Sequence, residues 1–393
     1  MKMAIILNSN QLGGAERSLI EQFASSGAAA SSHVYYPDLN LSSGRLIGFL
    51  NEKGFKHHQA LPYPNWLYKI SRSKFSGSTL LFFPGLLVYF FLWRTRFRNY
   101  DSFYLNGVKA SFPVFFWSFI ERRKIKVYWH FRDFPAPGFF RIITKLVKSF
   151  KPREQELVLI SNSKAVGASL SKIFPEFQLK TIYNLTGELP ERCAPKTVKH
   201  IGIVSMFAPW KGIHSVVLTL GLYQNELRRL GVEKVSFFGE AIYQTDGDHR
   251  DYLQQVQTLC ARLGVQIAEF PGLKTPEEIF STIDLLIHPS LAPEPFGRVI
   301  LEAFKTSTPV ISSALGGAGE LVEDQVTGLI LIPDDPHQLF LLIKTLAEDH
   351  DMRRSLTVNA FKKAQQIEES VHELIPTLTH FNTGRLLPNT SNF

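Results

Sequence analysis

The chain of 393 residues is long enough for two or three domains with large buried cores. Its composition, 45% hydrophobic and 20% charged, is typical of a globular protein. The two cysteines, Cys193 and Cys260, form no metal-binding or disulfide pattern and fit a reducing cytoplasm. The net charge of +8 leaves open nucleic acid, an anionic membrane surface, a phosphate-bearing acceptor or a solvated basic face.

The first half of the chain alternates short apolar runs with helical patterns. The predicted strands are Met3–Asn8, His33–Tyr36, Ser102–Leu105, Lys126–His130, Leu157–Ser161 and Lys180–Tyr183. The predicted helices are Ala15–Ser25, Ser43–Lys53, Ser111–Arg122, Phe139–Phe150 and Lys164–Phe174. Strands that alternate with helices indicate βαβ units and therefore a parallel sheet.

Two apolar segments in this half bear on membrane insertion. Met1–Asn8 is too short for a secretory signal and fits a first buried strand. Ser78–Trp93 has sixteen residues with a Pro-Gly inside, whereas a spanning helix needs about 20 apolar residues. The sequence therefore predicts that Ser78–Trp93 forms a buried or membrane-surface helix.

A linker and a second α/β segment follow. Residues 184–199 contain two prolines and no apolar period, as in an interdomain linker. The predicted strands beyond it are His200–Ser205, Val235–Phe238, Gln266–Glu269, Leu285–His288, Pro309–Ser312 and Leu329–Ile332. The predicted helices are Gly212–Leu230, Asp248–Leu263, Pro276–Thr282, Gly297–Thr306, Pro336–Asp349 and Met352–Ile367. The composition from Asn382 onward predicts a disordered tail.

The segment from Pro289 to Leu331 contains EPFGRVILE, in which Glu294 and Glu302 enclose seven residues. The turn and helix start between them include Pro295, Phe296, Gly297, Arg298 and Val299. Backbone N–H groups at a helix N-terminus stabilise an anion. Glu294 on the loop can accept hydrogen bonds from sugar hydroxyls, and Glu302 can bind a ribose diol. This layout suits a nucleotide sugar, although the spacing of the two carboxylates also permits a hydrolase acid and base.

This segment resembles glycosyltransferase family 4, the group 1 retaining transferases with two Rossmann-like domains. Residues 3–17, MAIILNSNQLGGAER, resemble the first strand and Gly-Gly-x-Glu loop of that family. Residues 201–212, IGIVSMFAPWKG, resemble the first strand of its second domain and the Lys-Gly that follows. The resemblance implies the α/β GT-B fold, in which two doubly wound Rossmann-like domains face each other across a cleft.

The resemblance also implies a division of the chain. We expect an acceptor-binding domain at residues 1–190 and a donor-binding domain at residues 191–369. Residues 370–393 would form a flexible tail after a helix near Ser370–His380 that crosses back to the first domain. Ligands bind beyond the carboxyl ends of the strands in such sheets, which is where the quoted motifs are predicted.

The loop after the first strand is predicted to contribute to donor binding. Gly13 and Gly14 lack side chains, so the turn can approach a phosphate or a sugar and offer N–H donors. Glu16 completes the Gly-Gly-x-Glu pattern of the family. The dinucleotide pattern G-x-G-x-x-G is absent from this loop, which argues against NAD binding.

Lys211 and Gly212 follow the first strand of the second half and are also predicted to bind the donor. The lysine can neutralise part of the charge on the donor diphosphate. The family usually places an arginine five residues earlier, where this chain has Met206. Arg298 or another cation would then supply the missing charge, or the donor would bind more weakly.

His130 ends the predicted strand KVYWH and resembles the strand-end histidine in the first domain of the family. The resemblance implies a hydrogen-bonding role near the donor sugar rather than a nucleophile. His130 and Glu294 are therefore the predicted catalytic residues. Departure of the sugar leaves negative charge on the diphosphate, which Lys211 and N–H groups near Gly297 and Gly14 would stabilise. The resemblance further implies retention of configuration and no requirement for a metal ion or cofactor.

Basic residues concentrate in the first half, where Arg122–Arg153 contains ten Lys or Arg and one acidic residue, Asp133. The predicted helix Phe139–Phe150 places cationic and apolar side chains on different faces, and Arg94–Arg98 adds three arginines. This pattern is typical of a helix that docks on an anionic membrane, although a helix packed on its own sheet with a solvated basic face fits equally. The predicted location is cytoplasmic, peripheral at the inner face of the cytoplasmic membrane.

Together these features predict a hexosyltransferase (EC 2.4) that transfers a sugar from a nucleotide-diphosphate sugar to an acceptor. The expected acceptor is a glycan or lipid-linked glycan in polysaccharide or glycolipid synthesis. A sugar-nucleotide epimerase of the same fold and a non-catalytic nucleotide-sugar or glycan-binding protein remain alternatives. Nucleic-acid binding rests on charge alone, and we expect no nucleic-acid partner.

Overall fold

The structure is a computed structural model that describes residues 3–39, 43–64, 83–121, 125–135, 156–240 and 251–379. Contacts between residues divide the chain into two compact units. The first unit comprises Met1–Asn162, Val166–Leu185 and Glu369–Phe393, and the second comprises Ser163–Ala165 and Thr186–Glu368. The predicted helix Phe139–Phe150 and the predicted tail from Asn382 lie outside the described residues.

The first unit contains a seven-stranded sheet in which every pair of neighbours is parallel. Its strands are β1 Met3–Ile6, β2 His33–Asp38, β3 His57–Pro62, β4 Ser102–Asn106, β5 Lys126–Phe131, β6 Glu156–Ser161 and β7 Gln178–Thr181. The spatial order is β3-β2-β1-β4-β5-β6-β7. The direction of winding therefore reverses between β1 and β4, the switch point at which doubly wound sheets bind ligands.

Helices cover both faces of this sheet. They are α1 Gly14–Ser25, α2 Gly44–Glu52, α3 Phe83–Phe97, α4 Val108–Glu121 and α5 Lys164–Ser171. One apolar cluster joins Phe23 of α1 and Leu50 of α2 to Tyr104 and Tyr128 of the sheet. The other cluster, on the opposite face, contains Trp129 with side chains of α3, α4 and α5. Burial on both faces explains why the central strands are continuously apolar.

The second unit repeats this architecture with six parallel strands. They are β8 His200–Val204, β9 Lys234–Phe238, β10 Ala268–Gly272, β11 Leu285–His288, β12 Val310–Ser312 and β13 Leu329–Ile330, in the order β10-β9-β8-β11-β12-β13. The helices are α6 Ile213–Arg229, α7 Tyr252–Arg262, α8 Pro276–Phe280, α9 Arg298–Lys305, α10 Pro336–Glu348 and α11 His350–Thr379. The switch point here lies between β8 and β11.

Some predicted elements differ from the structure. Strand β3 was not predicted, because its sequence HHQALP is too polar at its start to resemble a buried strand. Helix α4 begins at Val108, three residues before the predicted start, and includes Pro113. The two helices predicted at Met352–Ile367 and Ser370–His380 are one helix, α11, which places Leu356 in the core of the second unit and Val371 in the core of the first.

The apolar run Ser78–Trp93 becomes part of α3 from Phe83 onward, and residues 65–82 lie outside the described part of the chain. Phe90, Trp93 and Phe97 are buried, whereas Leu87, Val88, Phe91 and Leu92 remain 37–63% exposed. Among the described helices, none is long and apolar enough to cross a membrane.

Candidate functional site

The loop after β8 carries Lys211 and is shaped by Gly212. Pro209–Lys211 form a short 3-10 helix, and Gly212 adopts a left-handed conformation with φ of 66° before α6. A Cβ atom at Gly212 would lie 2.0 Å from the carbonyl oxygen of Pro289, which belongs to the loop after β11. Gly212 is therefore required both for its backbone conformation and for the close approach of the two loops.

A backbone hydrogen bond holds these two loops together at the switch point. The N–H of Leu291 donates to the carbonyl oxygen of Trp210 over 2.7 Å. Lys211 and Glu294 thus become neighbours although 83 positions separate them in the chain. This is the site at which the strand order of the second sheet predicts a ligand.

Lys211 and Glu294 form an ion pair at the centre of the site. The ammonium group of Lys211 donates to Glu294 Oε1, and the two side chains are only 13% and 12% exposed. The Ser290 hydroxyl donates to the same carboxylate oxygen over 2.6 Å. His288 Nε2 lies 3.7 Å from this oxygen. A cation, a carboxylate, a hydroxyl and an imidazole are therefore assembled in one nearly buried cluster.

Burial and charge shift the pKa values of this cluster in opposite directions. Burial raises the pKa of Glu294, but the electrostatic effects of His288 and Lys211, with the hydrogen bonds from Lys211 and Ser290, outweigh burial and lower the pKa overall. Burial lowers the pKa of His288 to about 4, against the opposing attraction of Glu294. At neutral pH Glu294 is thus a carboxylate and His288 a neutral imidazole.

Helix α9 begins next to this cluster. Its N-cap residue, Gly297, has φ of 92° and provides no side-chain cap, while Val299 is half-buried in the first turn. The Arg298 side chain donates from Nε to Glu302 Oε1 over 2.9 Å. Glu302, in the second turn of α9, is 5% exposed, and its carboxylate is paired with this cation one turn away. Arg298, which the sequence offers as a substitute for the arginine that Met206 replaces, is thus paired with Glu302 over 2.9 Å.

The Gly-rich turn after β12, Gly316–Gly319, packs directly on the loop that carries Glu294. A Cβ atom at Gly316 would lie 2.6 Å from the Glu294 carbonyl oxygen, and one at Gly317 would lie 2.2 Å from that of Pro295. The N–H of Gly317 donates to Glu294 O over 2.7 Å. Glycine is thus needed at both positions because the two backbones touch, and the contact fixes the position of Glu294.

In the first unit, Gly13 and Gly14 form the exposed start of α1. The Glu16 carboxylate folds back so closely that a Cβ atom at Gly13 would lie 3.1 Å from its Oε2, whereas a Cβ atom at Gly14 would meet nothing within 4 Å. Burial raises the pKa of Glu16 to about 7, against backbone hydrogen bonds and the charge of Arg132, which lower it. The space beside Gly14 is therefore open, whereas the buried carboxylate of Glu16 packs against the turn at Gly13.

His130 lies at the carboxyl end of β5 and is fully buried. Its Nδ1 is 2.7 Å from the Tyr104 hydroxyl. Burial lowers the pKa of His130 well below its ordinary value, and the neighbouring charge of Arg132 acts in the same direction. A neutral histidine of this kind can hydrogen-bond a ligand but is not charged at pH 7.

Several polar residues at strand ends were missed by the sequence analysis. Ser290 and His288 surround Glu294 in the second unit. In the first unit, Asn106 ends β4 and Arg132 follows β5, and Arg132 Nε donates to Asn106 Oδ1 over 2.7 Å. The sequence signal that could have found these residues is a polar side chain at the end of an apolar strand. The same signal also occurs at residues whose role is purely structural.

Residues 190–363 match the family model described as glycosyl transferases group 1. The second unit is therefore a group 1 glycosyltransferase domain. An uncharacterised glycosyltransferase of Methanocaldococcus jannaschii is 33% identical to this chain over 120 residues, which are 30% of each protein. The D-inositol 3-phosphate glycosyltransferase of Streptomyces coelicolor is 31% identical over 114 residues, 28% of this chain and 25% of the relative. The chain thus spans less than a third of the length of these curated relatives.

Solved structures of glycosyltransferases cover nearly the whole chain. Anabaena HepE in complex with UDP and glucose covers 96% of this chain, which covers 100% of HepE, with a TM-score of 0.75 and 23% identity. Sucrose-phosphate synthase from Thermosynechococcus elongatus covers 96%, is itself covered to 98%, and has a TM-score of 0.69 and 18% identity. At such identities the likeness establishes the fold alone, and it confirms the predicted α/β GT-B fold.

Proposed function

We propose that this chain is a retaining hexosyltransferase (EC 2.4) that transfers a sugar from a nucleotide-diphosphate sugar to an acceptor. The observation that carries the proposal is the nearly buried pair of Lys211 and Glu294 at the switch point of the group 1 glycosyltransferase domain. Lys211 suits the diphosphate and Glu294 the sugar hydroxyls. UDP-glucose is the donor to test first, because HepE was solved with UDP and with UDP-glucose.

In the proposed reaction, the bond between the anomeric carbon and the diphosphate oxygen breaks, and its electron pair leaves with the diphosphate. The acceptor hydroxyl oxygen bonds to the anomeric carbon on the same face, and its proton passes to the diphosphate product. Lys211 and the N–H groups at the start of α9 stabilise the leaving group. Glu302 binds the ribose. The loop after β1 is formed by Gly13, Gly14 and Glu16. The neutral side chain of His130 forms a hydrogen bond with the sugar.

This scheme assigns the charge of the diphosphate to protein groups, so we propose that the reaction needs neither a metal ion nor a cofactor. Lys211 supplies the cation that Glu294 shares, and the uncapped start of α9 supplies a partial positive charge. Activity in the presence of EDTA should equal activity in its absence. A loss that added Mg²⁺ restores would refute this part of the proposal.

We further propose that the acceptor is a glycan or lipid-linked glycan and that the first unit docks on an anionic membrane at its cytoplasmic face. Leu87 and Phe91 of α3 are 55% and 61% exposed. The spacing of 87, 91, 94 and 98 places Arg94 and Arg98 on the same side of the helix. An apolar stripe that continues into arginines suits insertion among anionic headgroups. Arg94 also pairs with Glu121 over 2.5 Å, which leaves its charge partly offset.

The donor site is tested by thermal unfolding in UDP-, GDP- and ADP-glucose, with product formation followed as release of the nucleoside diphosphate. A ligand that binds only the folded protein raises the unfolding temperature with its concentration. We expect Lys211→Ala and Glu302→Ala to abolish the shift. Lys274→Ala is the matched control, because Lys274 is exposed and, among the described residues, its ion-pair partner is Glu278 one turn away. No shift with any of the three nucleotide sugars in the folded wild-type chain would refute the proposal, and binding without turnover would favour a non-catalytic protein.

The membrane surface is tested separately by cosedimentation with phosphatidylglycerol vesicles, using phosphatidylcholine vesicles for comparison. The double variant Leu87→Ser/Phe91→Ser should lose binding to the anionic vesicles. Leu222→Ser is the control, since Leu222 is 65% exposed on α6 in the other unit. Equal binding by all three proteins would show that α3 is not the docking surface.

A further inference from the structure

His288 is the last residue of β11, and its register partner on β12 is Ser312. Both side chains are buried, at 4% and 0% exposure. His288 Nδ1 lies 3.3 Å from the Ser312 hydroxyl, and His288 Nε2 lies 3.7 Å from Glu294 Oε1. The imidazole therefore lies between a buried hydroxyl and the carboxylate proposed to bind the donor sugar, and the proposed reaction assigns it no role.

The hydrogen bonds of Ser312 determine which nitrogen of His288 carries the proton. The Ala314 N–H group donates to Ser312 Oγ over 3.1 Å, and Ala314 has a φ of 51°, which is uncommon for a residue other than glycine. The hydroxyl proton of Ser312 needs an acceptor because the group is buried, and among the described residues that acceptor is His288 Nδ1. The neutral imidazole then carries its proton on Nε2 and presents an N–H donor to Glu294.

The Glu294 carboxylate is held through one of its two oxygens. The Lys211 ammonium group and the Ser290 hydroxyl donate to Oε1, and His288 Nε2 approaches the same atom. Within the described part of the chain, no hydrogen bond or ion pair reaches Oε2. Oε2 is thus left to accept from the hydroxyl groups of a sugar, while Oε1 is the oxygen that protein groups occupy.

A bound donor changes the balance at Oε1. The diphosphate of a nucleotide sugar carries two negative charges and draws the ammonium group of Lys211 away from the single charge of Glu294. Glu294 is then a nearly buried carboxylate with one hydrogen bond, from Ser290, and such a group is stabilised by taking up a proton. His288 Nε2 needs to move by only about 0.8 Å to reach an ordinary hydrogen-bond length to Oε1.

We propose that His288 is a positioning residue for Glu294. When the donor diphosphate binds Lys211, the Nε2–H group of His288 replaces the ammonium group as the hydrogen-bond donor to Oε1, and Ser312 fixes the tautomer that this requires. The inference rests on the proposed function and deepens it, because it explains how Glu294 stays charged and oriented after its ion pair is broken. Every residue involved belongs to the second unit.

The test counts the protons taken up when UDP-glucose binds at pH 6, by isothermal titration calorimetry in buffers of different ionisation enthalpy. UDP-glucose is the probe because its diphosphate gains no proton near this pH. The titratable groups Glu294 and His288 act on each other, Lys211 acts on both, and Ser290 adds its hydrogen bond to Glu294. In His288→Leu, we expect Glu294 to take up at most about one proton more per bound ligand than in the wild type. Relative to the wild type, its affinity should then fall by up to about tenfold per pH unit as pH rises.

A conservative variant and a matched control separate this role from a structural one. His288→Gln should behave as the wild type, because its amide NH₂ group can donate from the place of Nε2. Ser312→Ala removes the hydroxyl that fixes the tautomer, so its proton uptake should also exceed that of the wild type. His200→Leu is the matched control, because His200 is a buried histidine whose Nε2 lies 2.8 Å from the hydroxyl of Ser236 on the neighbouring strand, but at the amino end of β8. It should lose stability while its proton uptake equals that of the wild type.

The inference is overturned if His288→Leu takes up no more protons than the wild type, or if His200→Leu shows an equal rise. Should His288→Leu fail to fold, Ser312→Ala decides in its place, and uptake equal to that of the wild type overturns the inference. If the wild-type chain binds no UDP-glucose, the proposed function itself fails, so the two failures are distinguishable.

Discussion

Lys211 is the side chain whose loss should have the largest and most specific consequence in the donor domain. In Lys211→Met, an apolar side chain of similar length replaces the ammonium group beside Glu294. The variant removes the cation proposed to hold the diphosphate, so the affinity for UDP should fall sharply. It also leaves Glu294 as a nearly buried carboxylate with a single hydrogen bond, from Ser290.

The cost in stability can be worked from this geometry. The two side chains are 13% and 12% exposed, and removal of one partner of such a pair costs about 3–5 kcal/mol because the remaining charge is desolvated. The bond from Ser290 persists, so we expect a loss of about 3 kcal/mol at pH 7.

The loss should depend on pH. In the wild type the pKa of Glu294 is lowered, so its stabilisation is present above the unfolded pKa and is lost as pH falls through the folded pKa. In the variant, burial still acts to raise this pKa, while two of the influences that lower it, the charge and the hydrogen bond of Lys211, are gone, so we expect the pKa to rise relative to the wild type. The carboxyl then takes up a proton in mild acid, and the difference between variant and wild type should shrink.

Differential scanning calorimetry at pH 7 and pH 5, on the two single variants and the double variant, measures these effects. Lys211→Met/Glu294→Gln should recover most of the stability lost in Lys211→Met, because no buried charge remains unpaired. If the double variant is as unstable as the sum of Lys211→Met and Glu294→Gln, the two residues are not coupled and the reasoning is refuted.

Three further predictions concern other residues of the two units. Glu294→Gln should bind UDP roughly 3- to 10-fold more tightly, because no carboxylate then competes with UDP for Lys211. The same variant should transfer glucose more slowly. Calorimetric titration measures the first change, and initial rates measure the second. Gly212→Ala should lose about 3 kcal/mol or more and lose donor binding, because its Cβ would lie 2.0 Å from Pro289 O. Gly264→Ala, with a similar φ of 62° but open space around its Cβ, should lose only about 1–2 kcal/mol in the same unfolding assay. Glu16 has a folded pKa raised from 4.5 to about 7, so its protonated form stabilises the first unit by up to about 3 kcal/mol below pH 4.5, a contribution lost as pH rises through 7. Glu16→Gln should therefore flatten the fall in unfolding temperature between pH 5 and pH 8, and an unchanged slope would contradict the assignment.

The regular elements of this fold were largely readable from local patterns. The central strands β4, β5, β8 and β11 are apolar on both faces, so they appear in the sequence as short uninterrupted hydrophobic runs. Strand β3 lies at the edge of its sheet and begins with two histidines, so it lacks that signature. Helix α11 was divided in two because its apolar positions change partners, from the core of the second unit to that of the first.

The sequence predicts part of the donor site as well as it predicts the regular elements. The glycines at 212 and 297 mark left-handed turns after β8 and before α9, and such turns have a recognisable sequence signal. The pairing of Arg298 with Glu302 follows from a spacing of four on a helix and could have been expected. The ion pair between Lys211 and Glu294 could not have been expected, because neither sequence segment indicates that β8 and β11 are neighbours in the sheet.

The sequence by itself determined that this chain alternates strands and helices and that it places glycines, lysine and carboxylates directly after buried strands. Those are local properties, fixed by periodicity and by backbone conformation. The tertiary structure decided which of these strand ends meet, because strand order in a doubly wound sheet differs from chain order. It brought β11 beside β8 and thereby Glu294 to Lys211. Within the described residues it also left Asn106 Nδ2 and His130 Nε2 without a hydrogen-bond partner, because only packing in three dimensions determines which polar atoms find partners.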